Sequence, residues 1–297
     1  MQAGLDRREF LKLTGLGTVV LASSLCGWER ALASTQEDFC FVQLSDTHIG
    51  FSDPKVNPDF AGTLAKAVAA VNSLSKQPDF VVFTGDLTHT TDDDAERRKR
   101  LAQFKAIISA LKVKDVRFLP GEHDAALDNG KAFMEFFGET HYAFTHKGVH
   151  FIALDNASDP GSLVGDAQLQ WLGGELKRID KNAPVVILTH RPLFALYPEW
   201  DWDTRDADKV LDLLAPYQNV TVLYGHIHQE NHTLTGKITQ HAAHGLMYPL
   251  PAPGSVPKKA PIPWDPAQPY HNLGFRGVQA KTVQPTFALT EYPVKGA

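Results

Sequence analysis

The stretch Gln43-Leu44-Ser45-Asp46-Thr47-His48-Ile49-Gly50 decides how the chain is read. There an apolar run, Phe39 to Leu44, stops at a carboxylate and an imidazole two residues apart. Such a pair at a strand end is a candidate metal-ligand pair. Four later strand-like runs end the same way. Phe80 to Phe83 runs into Gly85-Asp86-Leu87-Thr88-His89, and Val116 to Leu119 into Gly121-Glu122-His123-Asp124. Val185 to Leu188 leads to His190, and Val222 to Tyr224 to Gly225-His226-Ile227-His228. Five such edges converging on one spot can hold two metal ions.

Between these edges the pattern alternates. Phe60, Leu64, Val68 and Val71 fall on one face of a helix expected over 59–76, and Leu101, Phe104, Ile108 and Leu111 on one face of a second. Continuous apolar strands alternating with helices imply right-handed crossovers and a sheet buried on both faces. His141 to Thr145 and His150 to Asp155, joined by Lys147-Gly148, read as a hairpin opening a second sheet. Helices are expected over 165–179 and 206–215. Beyond His232 come two short strands, a Pro-rich stretch from Pro249 to Pro269 without helical period, and two strands, 275–280 and 286–292, expected to close the second sheet. A loop as long as that Pro-rich stretch is either functional or poorly ordered.

Composition narrows the function classes. The chain has 297 residues, 43% of them hydrophobic, and a net charge of −5, which argues against a broad nucleic-acid-binding or anionic-membrane surface. The one basic run, Arg97 to Arg100, follows Asp92-Asp93-Asp94 in an order that suits a helix dipole, so it reads as a solvated face. Residues 1–33 read as a twin-arginine signal peptide: Arg7-Arg8, a weakly apolar stretch, then Ala31-Leu32-Ala33 as a cleavage site. The expectation is a periplasmic or secreted protein, carried by the twin-arginine translocase and cleaved before Ser34, with a retained anchor as the alternative. Cys26 falls within the signal, so Cys40 has no disulfide partner and reads as a core residue.

Ligands of layered α/β sheets bind beyond the carboxyl ends of strands, where all five motifs lie. Mixed carboxylates and imidazoles suit Fe, Mn, Zn or Co rather than Ca. In order and spacing these blocks, Asp46-x-His48, Gly85-Asp86-x-x-His89, Gly121-x-His123-Asp124, the lone His190 and Gly225-His226-x-His228, resemble those of the calcineurin-like metallophosphoesterases. The resemblance runs from about Phe39 to His228. It implies an α/β fold, a four-layer α/β/β/α sandwich of two mixed β-sheets flanked by helices, spanning residues 34–297.

It also implies two metal ions, Fe and/or Mn or Zn, hydrolysing a small phosphate ester, monoester or diester, by attack of a metal-bridging hydroxide. By the same resemblance Asp46, His48 and His228 belong to one metal, Asp86 bridges, and Glu122, His190 and His226 belong to the other. His123 is then the catalytic acid. Glu122 departs from the family, which has Asn there. Its extra charge implies a trivalent ion, or weaker phosphate affinity, or a Glu122 withdrawn from the metals; the first is the expectation taken forward. Two rivals come from other classes: a non-hydrolytic metal-binding protein, and a dinuclear site with altered chemistry.

Further candidates for substrate contact or support of the site are His89, Asp124, Arg191, His241 and His244. Arg191 is read as a phosphate contact or as an ion-pair partner of Asp203 or Asp206. His141, His146 and His150 read as structural histidines on the hairpin, and Trp200 and Trp202 beside Tyr197 as a possible stacking wall at the rim.

Overall fold

A computed structural model describes residues 38–281 and 286–296. The twin-arginine segment, Cys26 and the cleavage site before Ser34 lie outside them. Among the described residues β1 (Phe39–Leu44), β2 (Phe80–Thr84) and β3 (Val116–Leu119) run parallel, linked by helices α1 (Thr63–Asn72) and α2 (Asp94–Ile108). Asp93 starts α2 by accepting hydrogen bonds from the N–H groups of Ala95 and Glu96, satisfying two of the four amide donors a helix start leaves free. Two short helices, α3 (Glu122–Ala125) and α4 (Lys131–Phe137), follow β3.

The second sheet takes β4 (Tyr142–His146), β5 (Val149–Ala153), β6 (Pro184–Leu188), β7 (Asn219–Tyr224), β8 (Asn231–Thr235) and β9 (Ile238–Ala242). Its order is β4-β5-β6-β7-β9-β8. Helices α5 (Asp166–Leu176) and α6 (Ala207–Leu214) cover its outer face.

Side-chain alternation along the strands builds four layers. On β1, Phe39 and Phe41 point between the sheets, and Val42 and Leu44 point to the outer helices. Between the sheets Phe41 stacks on Phe80 at 4.8 Å, and Phe151 of β5 meets both edge-on at 5.4 and 5.2 Å. Truncating Phe80, fully buried there, costs about 3–5 kcal/mol. The first sheet's outer face buries Val81 and Phe83 under Leu64, Val68, Phe104 and Phe133, and the second buries Val185, Ile187 and Val222 under Leu172, Val210 and Leu214.

Four expectations are corrected. The last two strands, β10 (Gly274–Lys281) and β11 (Thr286–Pro293), close the first sheet, giving the order β11-β10-β1-β2-β3. β10 lies antiparallel to β1, Phe39 opposite Ala280, and so covers an edge of β1 that would otherwise expose unpaired backbone. Neighbours in sequence usually share a sheet, but here the chain crosses back first. The Pro-rich stretch is the crossing, and it is tied down: Trp264 N–H donates to Lys55 O at 2.8 Å, and Lys259 Nζ to Trp200 O at 2.9 Å.

The basic run is not uniformly solvated. Arg97 is buried against Asp128 and the Thr91 carbonyl, and Arg100 donates to the His89 and Thr90 carbonyls, so both hold the loop after β2. Trp200 and Trp202 pack in a buried aromatic cluster with Tyr224 and Tyr248 and form no rim. Cys40 is half-buried, its thiol 3.6 Å from Gln77 O. No helix among the described residues is long and apolar enough to cross a membrane.

Candidate metal centre

All five motifs meet where the two sheets' strands end. The loop after β1 runs against the loop after β2, with Asp46 N–H donating to Gly85 O at 3.0 Å and His48 N–H to Asp86 O at 2.9 Å. From the second sheet, His226 N–H donates to both oxygens of Asp46 at 3.1 and 3.2 Å. Asp46, His48, Asp86, His226 and His228 all have positive φ, between 41° and 64°. Side chains other than glycine enter that region at a cost, and such strain collects where a site dictates the direction of a side chain.

Glycines let the loops close in. A Cβ on Gly85 would collide with the His190 ring, one on Gly121 with Asp86, and one on Gly225 with Ser45 and Asp46. These positions need hydrogen for clearance; Gly85, at φ 99°, needs it for conformation as well.

Donor atoms of His48, His89 and His123 gather in one all-imidazole group, and two further groups contain carboxylates, each lying within 4.8 Å: Asp46, His48, Asp86 and His228, and Asp86, Glu122, His190 and His226. Asp86 belongs to both, with Oδ2 at 3.5 Å from His48 Nε2 and 3.4 Å from His190 Nε2. Glu122 reaches His190 Nε2 at 2.9 Å and His226 Nδ1 at 3.0 Å, and His228 Nε2 lies 3.3 Å from Asp46 Oδ1.

The other ring nitrogens set the chemistry. His190 Nδ1 lies 2.7 Å from Thr84 O, His228 Nδ1 2.6 Å from Tyr248 O, and His226 Nε2 2.8 Å from Asp201 O. A carbonyl only accepts, so each of these nitrogens carries a proton and the opposite nitrogen faces the cluster, where it offers a lone pair whenever the ring is neutral. His190 Nε2, His226 Nδ1 and Glu122 Oε2 are buried with no conventional hydrogen-bond partner. Ring nitrogens facing carboxylate oxygens at about 3 Å need a proton or a metal ion between them, and these mixed donors fit first-row transition metals.

Charge follows the same geometry. Burial would push His190 down and Glu122 up, but the neighbours win. Asp86 and Glu122 hold His190 well above the usual imidazole range, and His226, Arg191 and His190 hold Glu122 well below the usual carboxylate range. Burial, only partly opposed by Asp86, keeps His48 well below its ordinary value.

His123 sits at the mouth, a quarter exposed, with Nε2 3.9 Å from Asp86 Oδ2. Thr90 N–H donates to its Nδ1 at 3.2 Å, which leaves the neutral ring's proton on Nε2, facing the site. His89 lies alongside, stacked on His123 at 5.0 Å with Nδ1 3.4 Å from His48 Nδ1, and burial lowers it to about 4. Asp124 is buried away from the donor groups. It accepts from the N–H groups of Leu87, Thr88 and Gly121, and so locks the β2 and β3 loops together.

Arg191 pairs with neither Asp203 nor Asp206. Its Nη1 meets Asp201 Oδ2 at 2.7 Å, and Nη2 approaches Glu122 Oε2 at 3.5 Å. His241 turns to His232, with their Nδ1 atoms 2.7 Å apart, and His244 lies 3.9 Å from Glu230; neither joins the donor groups. His146 pairs with Asp79 and His150 with Thr145 on the hairpin.

Tyr248, Asn156 and Asp201 escape a reading of the sequence. The Tyr248 ring stacks on His228 at 4.6 Å and His48 at 5.0 Å, and its carbonyl fixes the His228 tautomer. Asn156 Oδ1 accepts from the N–H groups of both His190 and Arg191. Each acts through fold-dependent backbone geometry that no local motif announces.

The family model of the calcineurin-like phosphoesterases matches residues 40–230. The chain belongs to that family. It is a metal-dependent phosphoester hydrolase, with phosphodiesterases and phosphatases among its relatives. The probable glycerophosphodiester phosphodiesterase GpdQ of Arcobacter nitrofigilis is 28% identical over 211 residues, covering 66% of this chain and 74% of that protein. The cAMP/cGMP dual specificity phosphodiesterase of Mycobacterium tuberculosis is 26% identical over 219 residues, 70% of this chain and 67% of that one. The crystal structure of a dimetal phosphatase from Danio rerio superposes with a TM-score of 0.56 at 16% identity, over 86% of this chain and 98% of that one, and shares the fold of two mixed sheets flanked by helices.

Proposed function

We propose that residues 34–297 form an exported phosphodiesterase that cleaves a small phosphodiester at a centre of two metal ions. The carrying observation is Asp86, whose one carboxylate serves both donor groups while Gly121 and the His123 N–H hold it in place. Asp46, His48 and His228 would complete one position and Glu122, His190 and His226 the other, with Fe, Mn or Zn as the ions. Bound there, two cations supply Lewis acidity that activates water and balances charge on the phosphate. The preference for a diester rests on the two bacterial phosphodiesterase relatives.

His123 protonates the departing alkoxide. Its Nε2–H faces the cluster and Thr90 prevents the ring from turning the lone pair inward. Arg7-Arg8 and Ala31-Leu32-Ala33 support export by the twin-arginine translocase, a route that carries folded proteins and lets metals load beforehand. Turnover of bis(p-nitrophenyl) phosphate against p-nitrophenyl phosphate, before and after chelation, tests this reading. The diester should be preferred at least about tenfold, and chelation should abolish both activities. Monoester preference would overturn the diester assignment.

A further inference from the structure

We infer that Arg191 is a positioning residue for Glu122, its buried guanidinium, fixed by Asp201, pairing with the second carboxylate that stands beside Asp86. The inference rests on the metal-centre reading above. Glu122 and Asp86 both approach one imidazole nitrogen, His190 Nε2, at 2.9 and 3.4 Å. Two carboxylates that close repel each other, and the repulsion grows as water is excluded. Arg191 Nη2, 3.5 Å from Glu122 Oε2, places a positive charge beside that carboxylate. At 3.5 Å this is an ion pair rather than a good hydrogen bond, so its effect is one of charge.

The guanidinium is held from several sides. Nη1 donates to Asp201 O at 2.8 Å and pairs with Asp201 Oδ2 at 2.7 Å. The main chain of Arg191 is clamped by Asn156, which accepts from its N–H at 3.2 Å and donates to its carbonyl at 3.0 Å. Thr189 Oγ1 donates to the same carbonyl at 2.9 Å. A side chain so fixed and 4% exposed is built to hold its own neighbours in place. The Asp201 carbonyl also receives His226 Nε2–H, so one backbone oxygen orients both the counter-charge and a candidate ligand of the same group. Asp201 adopts φ 63° to offer it.

A double-mutant cycle over Arg191→Gln and Glu122→Gln tests the coupling. In chelator-treated protein, R191Q should lower the thermal midpoint by at least about 4 °C, because it leaves Glu122 without its counter-charge. In the E122Q background the same change should cost less than about a third of that. With metals restored, calorimetry with inorganic phosphate should show R191Q weakening binding about tenfold and the double variant recovering to within about threefold of wild type.

Equal costs of R191Q in both backgrounds would overturn the inference and leave Arg191 as a brace for the Asp201 turn. Equal loss of phosphate binding in both would make it a direct phosphate contact, which also overturns it. Should R191Q fail to fold while the double variant folds, the pairing is supported; failure of both overturns it. A wild-type protein that takes up no metal and cleaves no phosphodiester would defeat the metal-centre reading, whereas the unfolding cycle would still decide the Arg191 inference.

Discussion

His123 is bound to Asp86 through its backbone and faces it with its ring: the His123 N–H donates to Asp86 Oδ1 at 3.0 Å, and its own Nε2 lies 3.9 Å from Asp86 Oδ2. The residue proposed to protonate the leaving group is thereby registered on the residue proposed to bridge the metals. His123→Asn should keep the metals and lose about 10²–10⁴-fold in kcat on an alkyl phosphodiester. On an activated aryl ester, whose leaving oxygen needs little protonation, the loss should stay under about tenfold. Steady-state rates on the two esters decide it; equal losses would remove His123 as the acid.

Asp86→Asn should be the most damaging single change at the centre. A neutral amide withdraws charge from both donor groups together. Elemental analysis should find well under one ion per chain, since the one anionic ligand shared by both donor groups is lost to both. Loss confined to one position would show that Asp86 does not bridge.

Gly121→Ala tests the clearance argument in isolation, because Gly121 has φ −104°, which alanine adopts freely. The added methyl would meet Asp86 Oδ1 and its backbone nitrogen, so the β2 and β3 loops must part. Overpacking of this kind costs about 1–3 kcal/mol. Thermal unfolding should show that loss together with reduced metal uptake, and an unchanged midpoint would refute the close approach.

Arg7→Lys with Arg8→Lys should hold the protein in the cytoplasm, as the export route reads the guanidinium pair. Cell fractionation with an immunoblot checks it. Normal export of the double variant would remove the twin-arginine reading.

The parts of the fold legible in the sequence were those with a local period. β1, β2 and the parallel order through β3 follow from apolar runs ending at ligand-type residues, and α2 from its acidic start. The site was legible as far as residue type and strand end go, because Asp46, Asp86, His190 and His226 each stand just past one. What stayed hidden depends on the third dimension. The sheet that takes β10 is decided by pairing across about 240 residues, from Phe39 to Ala280. α3 and α4 are too short to show a helical period. Arg191 chose Asp201 because a left-handed turn aims that carbonyl and carboxylate at it, and the spacing to Asp203 or Asp206 holds no trace of the turn.

The most direct test of the dinuclear phosphodiesterase is metal content measured together with activity on the same purified sample. Elemental analysis should find two transition-metal ions per chain, including iron if the Glu122 carboxylate favours a more highly charged pair. Dialysis against a chelator should remove metal and phosphodiesterase activity in parallel, and Fe, Mn or Zn should restore both. Full activity in a sample holding less than about a tenth of an ion per chain would contradict the account.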